Sequence, residues 1–161
     1  MYTCIDCGKT HDKLPQFFMW RLPETPDGKT IAIVEEQKSL GRTEDGLCFV
    51  RCEVELAVHG HSETVLGFIC WVEVEPEVYE EIVQYRANEK ARPPFSHLVE
   101  GWLSNSVHGV RNSYGTRVGF EVVADDPTPY IRWASARSSL GRRMKIGATP
   151  RFWHKVAAQW S

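Results

Sequence analysis

The sequence predicts an α+β fold in which helices pack on one face of an antiparallel sheet, behind a short zinc-knuckle-like hook at the N-terminus. Three observations carry this reading. Residues 48–58 alternate apolar and polar with period two, and residues 64–74 follow across a polar turn, the pattern of a strand hairpin. Segments opening at Pro76 and Pro150 place apolar residues three and four apart, the pattern of half-buried helices. Strand pairs come first and helices are inserted and appended, which is the α+β order. A chain of 161 residues, 42% apolar and 25% charged, can build one core without disulfide support. It has no run of about 18 apolar residues, so no membrane-spanning helix is expected.

The division is a single domain: residues 1–15 form a polar opening and 16–161 the α+β body. Two prolines and Asp27-Gly28 make 22–30 a loop. Residues 31–34, Ile-Ala-Ile-Val, read as a short strand or as the start of a helix running into Glu35 and Glu36. On the first long strand Cys48, Val50, Cys52, Val54, Leu56 and Val58 share one face, while Arg51, Glu53 and Glu55 take the other. His59-Gly60-His61-Ser62-Glu63 is the turn. The second strand sets Leu66, Phe68, Cys70, Val72 and Val74 on one face. Val65, Ile69 and Trp71 on its other face predict cover on both sides. Pro76 suits a first helical position, and Val78, Tyr79, Ile82, Val83 and Tyr85 give that helix an apolar face until Pro93-Pro94 ends it. Residues 96–106 are read as a short helix around Leu98, Val99, Trp102 and Leu103. Strands at 116–124 and 129–135 are joined by Asp125-Asp126-Pro127. Thr149 as N-cap and Pro150 as first residue open the last helix, with Trp153, Val156, Ala157 and Trp160 as its buried stripe.

The most chemical stretch is Cys4-x2-Cys7-Gly8-x2-His11. Two cysteines three apart let a tight turn aim both sulfurs at one point, Gly8 permits the turn, and His11 is near enough to be a third ligand. A filled zinc site would secure an end that lacks apolar anchors. The fourth ligand is open. Cys48 and Cys52 lie about 13 Å apart along one strand face, so at most one of them serves. Cys70, His59, His61, His97 and His108 are further candidates. A redox pair would need CxxC beside a βαβ pattern, and none is present. Water in an open fourth position would be compatible with catalysis, which would also need a base; Asp6 and Asp12 are close in sequence.

Charge is unevenly distributed. Residues 1–126 carry 12 basic and 21 acidic groups, net −9, whereas 127–161 carry seven basic groups and no acid, net +7. Such segregation marks a face for an acidic partner, or a basic end packed over the acidic part of the same molecule. A pI near 6.3 and the lack of a nucleic-acid-binding motif weigh against nucleic acid as the main partner. Ser138-Ser139-Leu140-Gly141-Arg142-Arg143 has the residues of an anion-binding loop without Walker spacing. Arg137, Arg142, Arg143 and Lys145 are its candidate contacts. Trp71, Trp133 and Trp153 fall on patterned faces and read as core. No Ser-His-Asp order, GxSxG or GxGxxG is present. Five cysteines, an odd number, in a chain whose opening residues lack the apolar h-region of a signal peptide point to a reducing, cytoplasmic setting.

These residues resemble a known family. Cys4-x2-Cys7-Gly8-x2-His11 with Leu14-Pro15 resembles the start of the bacterial domain of unknown function 2199. Phe49-Val50-Arg51 and Glu55-Leu56-Ala57-Val58 resemble its first hairpin strand, and Gly67 and Trp71 its second. Gly101-Trp102-Leu103, Thr116-Arg117-Val118 and Gly147-Ala148-Thr149-Pro150 resemble later blocks. The resemblance implies a small bacterial cytoplasmic protein with no assigned activity. It also implies a cysteine some ten residues before Arg51, where this chain has Leu40-Gly41-Arg42.

The leading expectation is a non-enzymatic, cytoplasmic interaction protein, of immunity or regulatory type, with a structural zinc hook and a protein partner. A metal-dependent hydrolase using Cys4, Cys7 and His11 is one alternative. Anion or nucleic-acid binding by the basic C-terminal third is the other.

Overall fold

The computed structural model describes residues 2–3, 10–11, 16–60, 64–87, 99–122 and 128–160. Its strands are β1 (Tyr2–Thr3), β2 (Thr10–His11), β3 (Phe17–Met19), β4 (Glu35–Gln37), β5 (Leu40–Arg42), β6 (Cys48–Ala57) and β7 (Val65–Val74). Helix α1 (Pro76–Ala87), strands β8 (Val99–Leu103), β9 (Arg117–Glu121) and β10 (Tyr130–Ala134), and helices α2 (Ser139–Ile146) and α3 (Pro150–Trp160) complete it.

The β6–β7 hairpin is the spine. It is antiparallel over ten residue pairs, from Cys48↔Val74 to Ala57↔Val65. Alternation sends Val50, Cys52, Val54 and Leu56 inward to meet Leu66, Phe68, Cys70 and Val72, all fully buried. Each strand divides its outer edge between two partners. On β6, residues 48–50 pair with β5 and Glu53 with Tyr130 of β10. On β7, residues 67–69 pair with β3 and residues 72–73 with β8. The run β7-β8-β9-β10-β6 therefore returns to β7 and closes a five-stranded barrel, which leaves those strands no long open edge.

The α+β class stands, with three corrections. The sheet is mixed rather than antiparallel, because β3 runs parallel to β7 and β10 parallel to β6. The segment read as a short helix at 96–106 holds strand β8. Val99, Gly101 and Leu103 are buried there while Glu100 and Trp102 face out, a period of two. Ser138–Arg143, read as a loop, is the start of helix α2. Ser138 is its N-cap, accepting the Gly141 N–H at 2.9 Å. Gly141, a poor helix former, obscures the signal, yet it lets α2 lie against the Ala134 and Ser135 carbonyls.

Other elements fall where the sequence places them. α1 begins at Pro76 and buries Tyr79 and Ile82. In α3, Thr149 Oγ1 accepts the Phe152 N–H at 3.0 Å, and Trp153 and Val156 are buried together with Phe152. Residues 31–34 form no regular element; the strand starts at Glu35. Trp71 is the largest fully buried side chain. Its indole N–H reaches the Trp20 carbonyl at 3.1 Å, so a large apolar surface enters the core without an orphaned donor.

Candidate functional site

Cys4 and Cys7 lie outside the described residues, and of His11 only the backbone is described. That backbone pairs antiparallel with Tyr2, and Thr10 pairs with Thr3. The residues flanking segment 4–9 are thus side by side. Among the described residues no three His, Cys, Asp or Glu side chains gather as a metal site.

The structure places the proposed fourth ligands in different settings. Cys52 is fully buried opposite Cys70 on the hairpin. Burial pushes the Cys52 thiol well above its ordinary range, and pushes the Cys70 thiol up to about 12. Both are therefore held as neutral thiols, the form that disfavours metal binding. The backbone N–H groups of Arg51 and Glu53 point away from β7, to the Ser39 and Pro129 carbonyls. Cys52 and Cys70 then occupy a hydrogen-bonded pair, the wider of the two cross-strand spacings. Cys48 lies at the start of β6, its thiol 3.5 Å from the Gly46 carbonyl. Burial raises its thiol as well, against the lowering influence of Arg42. His59 has a structural contact: its Nε2 lies 2.5 Å from the Ile146 carbonyl, at the C-terminal end of α2.

The basic C-terminal segment is anchored at the turn end of the hairpin. Ala148 donates its N–H to the Ala57 carbonyl at 2.8 Å and accepts the His59 N–H at 2.9 Å. Gly147, at φ 80° and ψ −164°, occupies backbone space reserved for glycine, and a Cβ there would sit 2.6 Å from the Ala57 oxygen. The four candidate anion contacts do not share one orientation. Arg137, Arg142 and Lys145 are exposed, whereas Arg143 is half-buried, with its guanidinium 4.1 Å from the centre of the Phe152 ring. Among the described residues Arg137, Arg142, Lys145 and Lys155 form no ion pair, whereas Arg132 of the same segment pairs with Glu121 at 3.0 Å.

The opposite end of the hairpin brings together residues that the sequence reading did not group. Glu73 is directly across from Trp102, and both side chains lie on the outer face. With Leu47, Cys48, Val74, Glu75 and Pro76 they line a cleft of about 130 Å³. Trp102 is 42% and Leu47 40% exposed, large values for apolar side chains beside a packed core. Gly101 lets β8 press against β7, since a Cβ there would lie 2.5 Å from the Glu73 carbonyl oxygen. Beyond β8 the fully buried Asn105 holds the register. It accepts the Trp71 N–H at 2.7 Å and donates to the Leu22 carbonyl and to Glu24 at 3.0 and 3.1 Å. Among the described residues, the bases nearby are engaged. Arg42 bonds Glu80, lies 4.0 Å from Glu35 and covers the Tyr79 ring at 4.7 Å; Arg117 bonds Glu100. Glu73 and Glu75 form no ion pair among the described residues. Burial, and then the charge of Glu75, raises the Glu73 carboxyl above its usual range. The alternation of 99–103 is the sequence signal that places Trp102 outward.

Among the described residues, a closed mixed-sheet barrel with three helices defines an α+β protein. The chain belongs to the family described as an uncharacterized protein conserved in bacteria, DUF2199, whose model matches residues 3–148. The match includes the N-terminal Cys-x2-Cys and Gly147-Ala148 and stops before α3. No curated protein and no solved structure is detectably similar to the chain. No helix among the described residues is long and apolar enough to cross a membrane.

Proposed function

We propose that this family member is a protein-binding domain of regulatory or immunity type, non-enzymatic and cytoplasmic. One observation carries the reading: uncommitted charge collects at the two ends of the β6–β7 hairpin, and at the acidic end it adjoins exposed Trp102 and Leu47. Surfaces that combine an aromatic anchor with unneutralised charge suit recognition of another macromolecule. The clefts at Trp102 and at Lys38–Arg86 hold about 130 and 230 Å³, below the roughly 300–1,000 Å³ of small-molecule sites. The free, buried thiols of Cys48, Cys52 and Cys70 support a reducing compartment. Cys4, Cys7 and His11 are proposed as a structural zinc hook, supported by the β1–β2 pairing that brings the flanks of 4–9 together.

The test is affinity capture of the tagged chain from its bacterial host, with chemical cross-linking. The expected result is one stoichiometric protein whose cross-links map to one end of the hairpin; no such protein would overturn the reading. Zinc near one equivalent per chain, lost in Cys4→Ser, would bear out the hook. Four protein ligands on that ion would exclude a hydrolytic site.

A second reading has its own observation. Arg142 and Lys145 face solvent without ion pairs on α2, which supports anion binding at Arg137, Arg142, Arg143 and Lys145. Passage through heparin at low salt without retention would remove it.

A further inference from the structure

We propose that the cleft at Trp102 receives a single cationic side chain, lysine or arginine, from a basic segment of a partner protein. The inference rests on the protein-binding reading and names the surface and the partner chemistry.

Each wall of the cleft selects for the same guest. Val74 and Pro76 in the lining, with exposed Leu47, suit an aliphatic stem. Trp102 offers an exposed indole, the aromatic ring that attracts cations most strongly. Glu73 and Glu75 supply negative charge that the described bases do not neutralise, because Arg42 is engaged by Glu80 and Glu35 and Arg117 by Glu100. Burial, and then the charge of Glu75, makes an ionised Glu73 costly, and a cation seated beside Glu73 offsets that cost. The volume, about 130 Å³, suits one side chain rather than a metabolite. Strand β8 is already paired on both sides, to β7 and β9, so the partner is read through side chains and not by adding a strand. The molecule's own uncommitted bases on α2 sit at the far end of β6, whose ten residues span about 30 Å. They cannot fill the cleft of their own chain. A second copy's could, and the experiment separates that case.

The probe is a fluorescein-labelled octa-arginine peptide, followed by anisotropy at low salt with the full chain. Wild type is expected to bind. Trp102→Ala, which leaves net charge unchanged at an exposed position, is expected to weaken binding about three- to fivefold. Glu73→Gln with Glu75→Gln is expected to weaken it about tenfold. Glu55→Gln, an exposed acid near the turn end of β6, should change it less than about twofold. Circular dichroism confirms that each variant is folded. Equal losses in Trp102→Ala and Glu55→Gln would show diffuse charge attraction and overturn the cleft, as would no binding at all. Sedimentation showing a salt-sensitive dimer of the peptide-free chain, abolished by the Glu73 and Glu75 changes, would assign the cleft to a second copy and also overturn the proposal. A captured partner indifferent to Trp102 would sink the cleft and leave the protein-binding reading standing.

Discussion

The two ends of the β6–β7 hairpin are built from the same strands and solve opposite problems. At the open end, where β6 begins and β7 finishes, arginines are pinned: Arg42 between Glu80 and Tyr79, Arg51 over the Trp71 ring and 3.8 Å from Glu36. The groups left over among the described residues are carboxylates, Glu73 and Glu75 among them. At the turn end the order reverses. Arg132 is matched to Glu121, and the groups left over are mostly bases, Arg137, Arg142 and Lys145, with the exposed Glu55 beside them. The lesson is that net charge, −2 for the whole chain, says little about either surface. What a partner meets is the charge that remains after local pairing.

The strongest way to break this comparison is to disconnect one end at a time. Gly147→Val forces a Cβ against the Ala57 carbonyl in a backbone region closed to other residues. It is expected to cost about 3–5 kcal/mol and to release the basic helices. Gly101→Val meets the Glu73 carbonyl and Val72 and should cost about 2–3 kcal/mol, loosening β8 and the Trp102 cleft. Denaturant melts check the cost. Hydrogen exchange checks locality, with 147–156 exposed in the first variant and 99–103 in the second. Uniform exchange in both would mean that the ends are not independent units.

A smaller effect distinguishes pinned from free arginines. Arg42→Ala removes the Glu80 bond and the Tyr79 contact and is expected to lower the melting temperature clearly. Arg142→Ala, exposed and unpaired, should leave stability within about 0.5 kcal/mol. Similar shifts for the two would erase the distinction.

The smallest effect concerns Glu73. Its carboxyl is raised in the folded state, so folding is penalised once the group ionises, above the ordinary carboxylate range. The penalty vanishes at pH values low enough to protonate the carboxyl in both states. Glu73→Gln should therefore raise the melting temperature slightly at pH 7 and leave it unchanged near pH 3. A stabilisation that does not change with pH would assign the effect to packing instead.

Much of the frame was legible in the residues. Alternation at 48–58 and 64–74 marked the spine because a half-buried strand exposes every second side chain. Pro76 and Thr149-Pro150 marked helix starts because fixed φ and an N-cap hydroxyl act within one turn. The misreadings have equally physical causes. Gly141 lowers the helical signal of α2, and its reason for being there, the close passage of Ala134 and Ser135, lies in another element. Residues 99–103 are too short for period alone to separate strand from helix; the choice falls to Gly101 packing on Glu73. The outer cleft went unseen because Leu47, Glu73 and Trp102 come from three segments, and only pairing of β7 with β8 makes them neighbours.

By itself, then, the sequence determined which segments alternate, where helices begin, and how charge is divided along the chain, because those are local properties of a polymer. Barrel closure, the parallel pairings of β3 and β10, and the identity of the uncommitted charges were decided only in three dimensions. Each depends on which distant backbone edge or side chain fills the space beside it.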